Sequence, residues 1–199
     1  MRKLVLLLAL VLIAAYAPPR ASAQGQPAAQ PGGKSVCPLE PCTVPQPRGI
    51  DIADAKKMAA AAAAEAAKNG WSVAFAVVDA NGDLVYFERM DGAHARAVTS
   101  AMAKARAAVL FGANGRQLAE AASAGQPVNV TITTPAVWAW EINLGPGALP
   151  VLKNGKVVAG FGVGGARPNA ADKTAGKFPD EEYAKAGVAA IAAAGYSTK

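Results

Sequence analysis

Two short strings decide most of the architecture. Asn81-Gly82 separates the apolar run Trp71–Asp79 (WSVAFAVVD) from Leu84–Glu88 (LVYFE), and Asn154-Gly155 separates Val151-Leu152 from Val157–Val163. A two-residue Asn-Gly loop fits a turn that needs positive φ at both central residues, and its twist matches that of two flanking strands. Each string therefore predicts a hairpin. Strands joined this tightly run antiparallel, so the sheet is at least partly antiparallel.

The segments around the hairpins read as helices. Asp51 is placed to cap ADAKKMAAAAAAEAAK, which ends at Asn69-Gly70. Ala93–Leu110 forms a second helix, stopped at Phe111-Gly112, and Asn114 caps a short third helix through Ala124. Val128–Thr133 (VNVTIT) has strand composition, and the Pro- and Gly-interrupted stretch to Pro150 reads as loop. Phe178-Pro179-Asp180-Glu181-Glu182 opens a last helix to about Ala194, with acids in its first turn. Helices and strands are grouped rather than strictly alternating, which predicts an α+β fold. The alanine-rich helices carry little bulk, so burial per residue is low, and a homo-oligomer is expected to add buried surface.

Residues 1–23 have the pattern of an export signal: Arg2 and Lys3, an apolar run from Leu4 to Ala17, then Ala21-Ser22-Ala23. The apolar run is shorter than the about 20 residues that span a membrane, and an uncleaved anchor is the weaker alternative. The expected location is periplasmic or secreted, not membrane-spanning. Arg2, Lys3 and Arg20 would leave with the signal, so 20 basic residues become 17 against 14 acidic ones, net +3. The remaining cations are scattered without interleaved aromatics, which gives no support for nucleic-acid binding. Residues 24–48 are rich in Pro, Gly, Gln and Ala and read as a disordered leader. It holds Cys37 and Cys42, for which a local disulfide is expected in an oxidising compartment. Residues 49–199 suit one compact domain.

Several familiar chemistries fail on context. Gly160–Gly165 matches G-x-G-x-x-G, but its glycines fall within a hairpin strand and Pro168 follows, so close approach of a helix or a ligand is the better reading. No G-x-S-x-G elbow is present. Ser100, six residues beyond His94, falls nearly opposite it on one helix and out of hydrogen-bond reach. One histidine and two distant cysteines do not make a tetrahedral zinc set.

A flat tetrapyrrole asks for less: one axial ligand, an apolar slot and cations for its carboxylates. His94, the chain's single histidine, is the candidate ligand and metal-binding residue, with Met90 or Met102 as a softer second ligand. Arg89, Arg96, Lys104 and Arg106 are candidate carboxylate partners. If Ala93–Leu110 is one continuous helix, His94, Val98, Ala101 and Ala105 share a stripe, and the imidazole overhangs a smooth small-residue surface.

Longer stretches carry a resemblance. Ala53-Asp54-Ala55-Lys56-Lys57, Asn69-Gly70-Trp71, VAFAVVDANGDLVYFERMDGA, Lys104-Ala105-Arg106, Phe111-Gly112, LPVLKNGKVVAGFGVGG and PDEEYAKAGVAAI follow in order from about Ile50 to Ile191. Together they resemble the GlcG/HbpS-like haem-binding family, which is similar to the C-terminal haem-binding domain beside some cobalamin adenosyltransferases. The resemblance implies a five-stranded, mostly antiparallel sheet flanked by helices, assembly into oligomers, and non-covalent haem as cofactor. It implies haem storage, delivery or sensing, with an envelope sensor or haem-delivery protein as partner. Carry-over reaches Arg89-Met90-Asp91-Gly92-Ala93 as a cofactor-binding motif. His94 departs from the small or aliphatic residues usual after that motif, and Ala166–Phe178 is expected to be an insertion that lids a site or lengthens an interface. The rivals are an enzyme that degrades haem or converts a small acid, with Asp91 or Glu88 handling protons near His94, and an oligomeric interaction module without haem.

Overall fold

The computed structural model describes residues 49–124 and 142–199. The expected export signal, the leader with Cys37 and Cys42, and the expected strand Val128–Thr133 lie outside the described residues. The elements are α1 (Ile52–Lys68), β1 (Ala74–Asp79), β2 (Leu84–Arg89), α2 (Ala95–Phe111), α3 (Gly115–Ser123), β3 (Ala148–Lys153), β4 (Lys156–Gly164), α4 (Ala170–Thr174), α5 (Pro179–Ala189), a 3-10 turn (Ala192–Ala194) and β5 (Tyr196–Ser197). The strands form one sheet in the order β2-β1-β4-β3-β5, and every pair is antiparallel. The fold is α+β.

Both hairpins form, but the first has a longer loop than expected: the Asp79 amide donates to the Asp83 carbonyl at 2.9 Å, and of Asn81 and Gly82 only Gly82 is left-handed, at φ 84°. In the second, Asn154 has φ 52° and Gly155 φ 74°, the left-handed pair that this loop demands. At the start of α1, the Asp51 carboxylate accepts from the Asp54 amide at 2.8 Å, as the cap predicts.

The fifth strand differs from expectation. Among the described residues it is Tyr196–Ser197, paired with the end of β3, and two residues are too few to show a period in sequence. The last helix also stops sooner, at Ala189, because the alanines after it close as a 3-10 turn and Gly195 turns the chain at φ 84°.

The strand period of two sorts side chains between two layers. Phe75, Val77, Leu149, Val151, Phe161 and Val163 face α1 and α5, where they pack with Met58, Tyr183 and Val188. Ala74, Ala76 and Val78 face α2, whose buried residues in this layer are Ala97, Ala101 and Ala105, with Met102 and Val109 packed beside them half-buried. Opposite that alanine stripe, β4 has glycines. A Cβ on Gly160 would lie 2.2 Å from the Ala105 carbonyl oxygen, and one on Gly162 would lie 2.0 Å from that of Ala101. The G-x-G pattern is therefore a track for close backbone approach of a helix.

This settles the smooth surface expected beneath His94. Ala97, Ala101 and Ala105 are fully buried, so β4 occupies the surface and no ligand does. His94 is also not within the helix. It is the residue before the first turn, extended at φ −73° and ψ 159°, because Gly92 reverses the chain at φ 82° just ahead of it.

Candidate functional site

α2 lies so low on β4 that its first two turns, the end of β4, the segment after it and the start of α5 meet at one end of the sheet. They enclose a cleft of about 460 Å³. His94, Arg96, Ser100 and Lys104 reach it from the α2 side, and Arg167, Phe178 and Asp180 from the other, with Asn143 and Pro146 completing the wall.

The floor is a buried ion pair. Lys104 Nζ lies 2.7 Å from Asp180 Oδ2 and donates to the Val163 carbonyl at 2.9 Å. The other Asp180 oxygen accepts from the Ala166 amide at 2.9 Å. Burial pushes the Asp180 carboxyl above the ordinary carboxylate range, and the Lys104 charge and the Ala166 and Gly165 amides pull it only part of the way back. The pair ties α2 to α5 and fixes the chain where it leaves β4. Residue 165 then presents its carbonyl to the imidazole: His94 Nε2 lies 3.3 Å from the Gly165 oxygen. A carbonyl only accepts, so this bond is made by the tautomer protonated at Nε2, which leaves the lone pair on Nδ1.

The expected site residues divide. His94 and Lys104 share the cleft, and so do Arg96 and Ser100. Ser100 was expected to lie opposite His94 on one helix, but helical spacing does not apply once His94 precedes the first turn. Arg89, Met90, Asp91 and Arg106 do not line the cleft. Arg89 turns its guanidinium back onto the Ala93 carbonyl, with Nε at 2.9 Å and the second donor on the same oxygen. Its work is to hold the Met90–Ala93 turn that sets His94 in place. Met90 packs against the core on the α1 and α5 side, Asp91 is exposed in the turn, and Arg106 is half-buried on α2.

Of the carboxylates named for proton handling, neither Asp91 nor Glu88 lines the cleft. Glu88 accepts from the Tyr86 hydroxyl at 2.6 Å. That bond holds the hydroxyl above the ordinary tyrosine range, with burial and the Glu88 charge adding to it.

Sequence reasoning missed Asp180, Arg167, Phe178 and Asn143. Asp180 reads locally as a helix-start acid, and nothing near it announces a partner 76 positions away. Arg167 and Phe178 bracket the expected insertion Ala166–Phe178, which lines the cleft at both ends. Its middle folds as α4, where Asn169 and Asp172 cap each other reciprocally. Among the described residues no group of three or more His, Cys, Asp or Glu could hold a metal ion on its own.

Residues 50–178 match a family model described as "Haem degrading protein HbpS-like". Protein GlcG of Escherichia coli (strain K12) is 32% identical over 109 residues, which is 55% of this chain and 76% of the relative. Among solved structures, a double mutant of Streptomyces reticuli HbpS is 33% identical with a TM-score of 0.59, covering 83% of this chain and 99% of that one. A PduOC:haem complex is 20% identical with a TM-score of 0.58, covering 71% and 94%; it shares the fold.

Proposed function

The chain belongs to the HbpS-like family, and from that premise we propose that it is an exported protein that binds haem non-covalently in the His94 cleft. It stores, delivers or senses the cofactor in the periplasm or outside the cell. The observation that carries the reading is the placement of the single imidazole. His94 stands at the edge of the cleft with Nε2 committed to the Gly165 carbonyl and a lone pair left on Nδ1. A metal-binding histidine is commonly oriented through its other ring nitrogen in this way.

The rest of the cleft fits the group. Pro146, Ala166, Pro168, Phe178 and Pro179 supply apolar wall, and Arg96 and Arg167 supply cations for carboxylates. Haem, when bound, would supply an iron centre that takes a nitrogen ligand and carries redox chemistry. The chain's own part is to orient His94 through Gly165, to hold the 163–166 segment through Lys104 and Asp180, and to keep the apolar walls around the ring. The sequence pattern of residues 1–23 supports export, and among the described residues no helix is long and apolar enough to cross a membrane. Ile52, Leu84 and Leu110 are exposed, which supports assembly into a homo-oligomer.

Titrating the purified chain with haem, followed by absorbance, tests the reading. Micromolar binding with a defined Soret band is expected. His94→Ala should shift that band and weaken binding by on the order of tenfold or more. An unchanged band and affinity in His94→Ala would move the ligand elsewhere, and no binding by the wild-type chain would leave the oligomeric module as the better account.

The family description favours a second reading, turnover of haem. Among the described residues of this cleft the carboxyl at hand for proton handling is Asp180. Incubating the haem-loaded chain with a reductant and oxygen separates the two readings: progressive loss of the haem band with release of iron identifies the enzyme.

A further inference from the structure

Among the described residues that line the cleft, cations outnumber anions. Lys104 is matched by Asp180, the single carboxylate among those described lining residues. Arg96 and Arg167 also line it, both are exposed, and neither side chain makes a hydrogen bond or ion pair among the described residues. They come from different parts of the chain, Arg96 from the first turn of α2 and Arg167 from the segment between β4 and α4. The first turn of α2 holds no acid, and His94 ahead of it makes no side-chain cap, so the positive end of a 17-residue helix dipole adds to the same field. Beside these charges stand Pro146, Pro168 and Phe178. Two guanidiniums with no partner among the described residues, beside a wall of prolines and a phenyl ring, call for a ligand that is apolar over most of its body and anionic along one edge.

We infer that Arg96 and Arg167 form a carboxylate subsite, so that the cleft selects tetrapyrroles with a free dicarboxylate edge and does so whether or not the ring carries iron. The inference rests on the haem reading above and narrows it: His94 reads the metal, and the arginine pair reads the acid groups.

Protoporphyrin IX and its dimethyl ester test this, since both lack metal and share one ring while only the first has charged carboxyl groups. Each is titrated against the purified chain by fluorescence, with haem titrated in parallel. The free acid should bind at least about tenfold more tightly than the ester, the size expected for charge-assisted hydrogen bonds to carboxylates. Arg96→Gln and Arg167→Gln should each weaken binding of the free acid several-fold, and the double variant should bind acid and ester alike. Lys156→Gln removes the same charge at the β3–β4 hairpin, away from the cleft, and should change nothing. Both arginines are exposed, and an unchanged thermal midpoint confirms that the variants fold. Equal binding of acid and ester by the wild-type chain, or discrimination that survives the double variant, overturns the inference and leaves the haem reading standing. If haem fails to bind as well, both fall together.

Discussion

Phe161 and Gly162 are neighbours on β4 and face opposite layers. Phe161 stacks with Phe75 at 6.4 Å between ring centroids, under α1 and α5. Gly162 meets the backbone of α2, with no room for a single methyl group. One face is filled by interdigitating side chains, as in most protein interiors. The other is made by bringing two backbones together. The difference bears on function. Side-chain packing can relax around a change, but a helix resting on glycines has one height above the sheet. That height brings His94 to the Gly165 carbonyl and Lys104 to Asp180.

The largest effect should come from breaking the bond between the two layers. Lys104→Met leaves the Asp180 carboxyl buried without its counterion, so that it must hold an unpaired charge or take up a proton, which should cost up to about 3–5 kcal/mol at neutral pH. Adding Asp180→Asn keeps an acceptor for the Ala166 amide and removes the stranded carboxyl, so the double variant should recover most of that loss. Denaturant unfolding of the two variants measures this. A double variant no more stable than Lys104→Met alone would show that the pair is not the link.

A smaller effect should separate the faces directly. Gly162→Ala adds one methyl group against the Ala101 carbonyl and should cost about 1–3 kcal/mol by forcing α2 away from the sheet. It should also lower haem affinity in conditions where the chain stays folded, because the cleft is built from the start of α2. Leu149→Met on the opposite face swaps similar volumes and should cost less than about 1.5 kcal/mol, with affinity unchanged. If both variants bind haem like the wild type, the height of α2 does not govern the cleft.

The same contrast explains what was legible in sequence. The hairpins could be read because Asn-Gly loops are local, and the close-approach reading of Gly160 to Gly164 followed from context within a few residues. Alanine-rich helices could be located but their faces could not, since alanine suits a buried stripe and a solvated one equally, and the last of them stops five residues short of the expected end. His94 was picked out by its chemistry, yet its position just before α2 depended on Gly92. The sequence makes Lys104 a candidate partner for a ligand carboxylate, whereas its carboxylate is Asp180, brought near by the packing of α5 against the end of β4. Arg89 was read as a ligand contact, whereas it spends its charge on the Ala93 carbonyl 4 residues away. Local backbone signals survive in sequence, and pairings that depend on which layer an element joins do not.

The smallest expected effect concerns pH and probes the floor of the cleft without breaking it. Asp180 is held above the ordinary carboxylate range by burial, so across the interval between the two values the folded chain binds a proton that the unfolded chain has lost. Stability must then fall as pH rises through that interval. The contribution of Asp180 is fully present below the ordinary carboxylate value and is lost as pH climbs through the raised one. This is the reverse of an exposed, salt-bridged aspartate, whose contribution appears as pH rises. Thermal unfolding of the wild type and of Asp180→Asn, compared from pH 4 to pH 7 in about half-unit steps, isolates the effect. The variant has no group that titrates at this position, so the change in the stability difference with pH is the readout. The wild type should lose ground to the variant as pH rises. A wild type that gains ground instead would mean that Lys104 outweighs burial, and Asp180 would then be an ordinary ion-pair partner rather than a carboxyl poised to take up a proton inside the cleft.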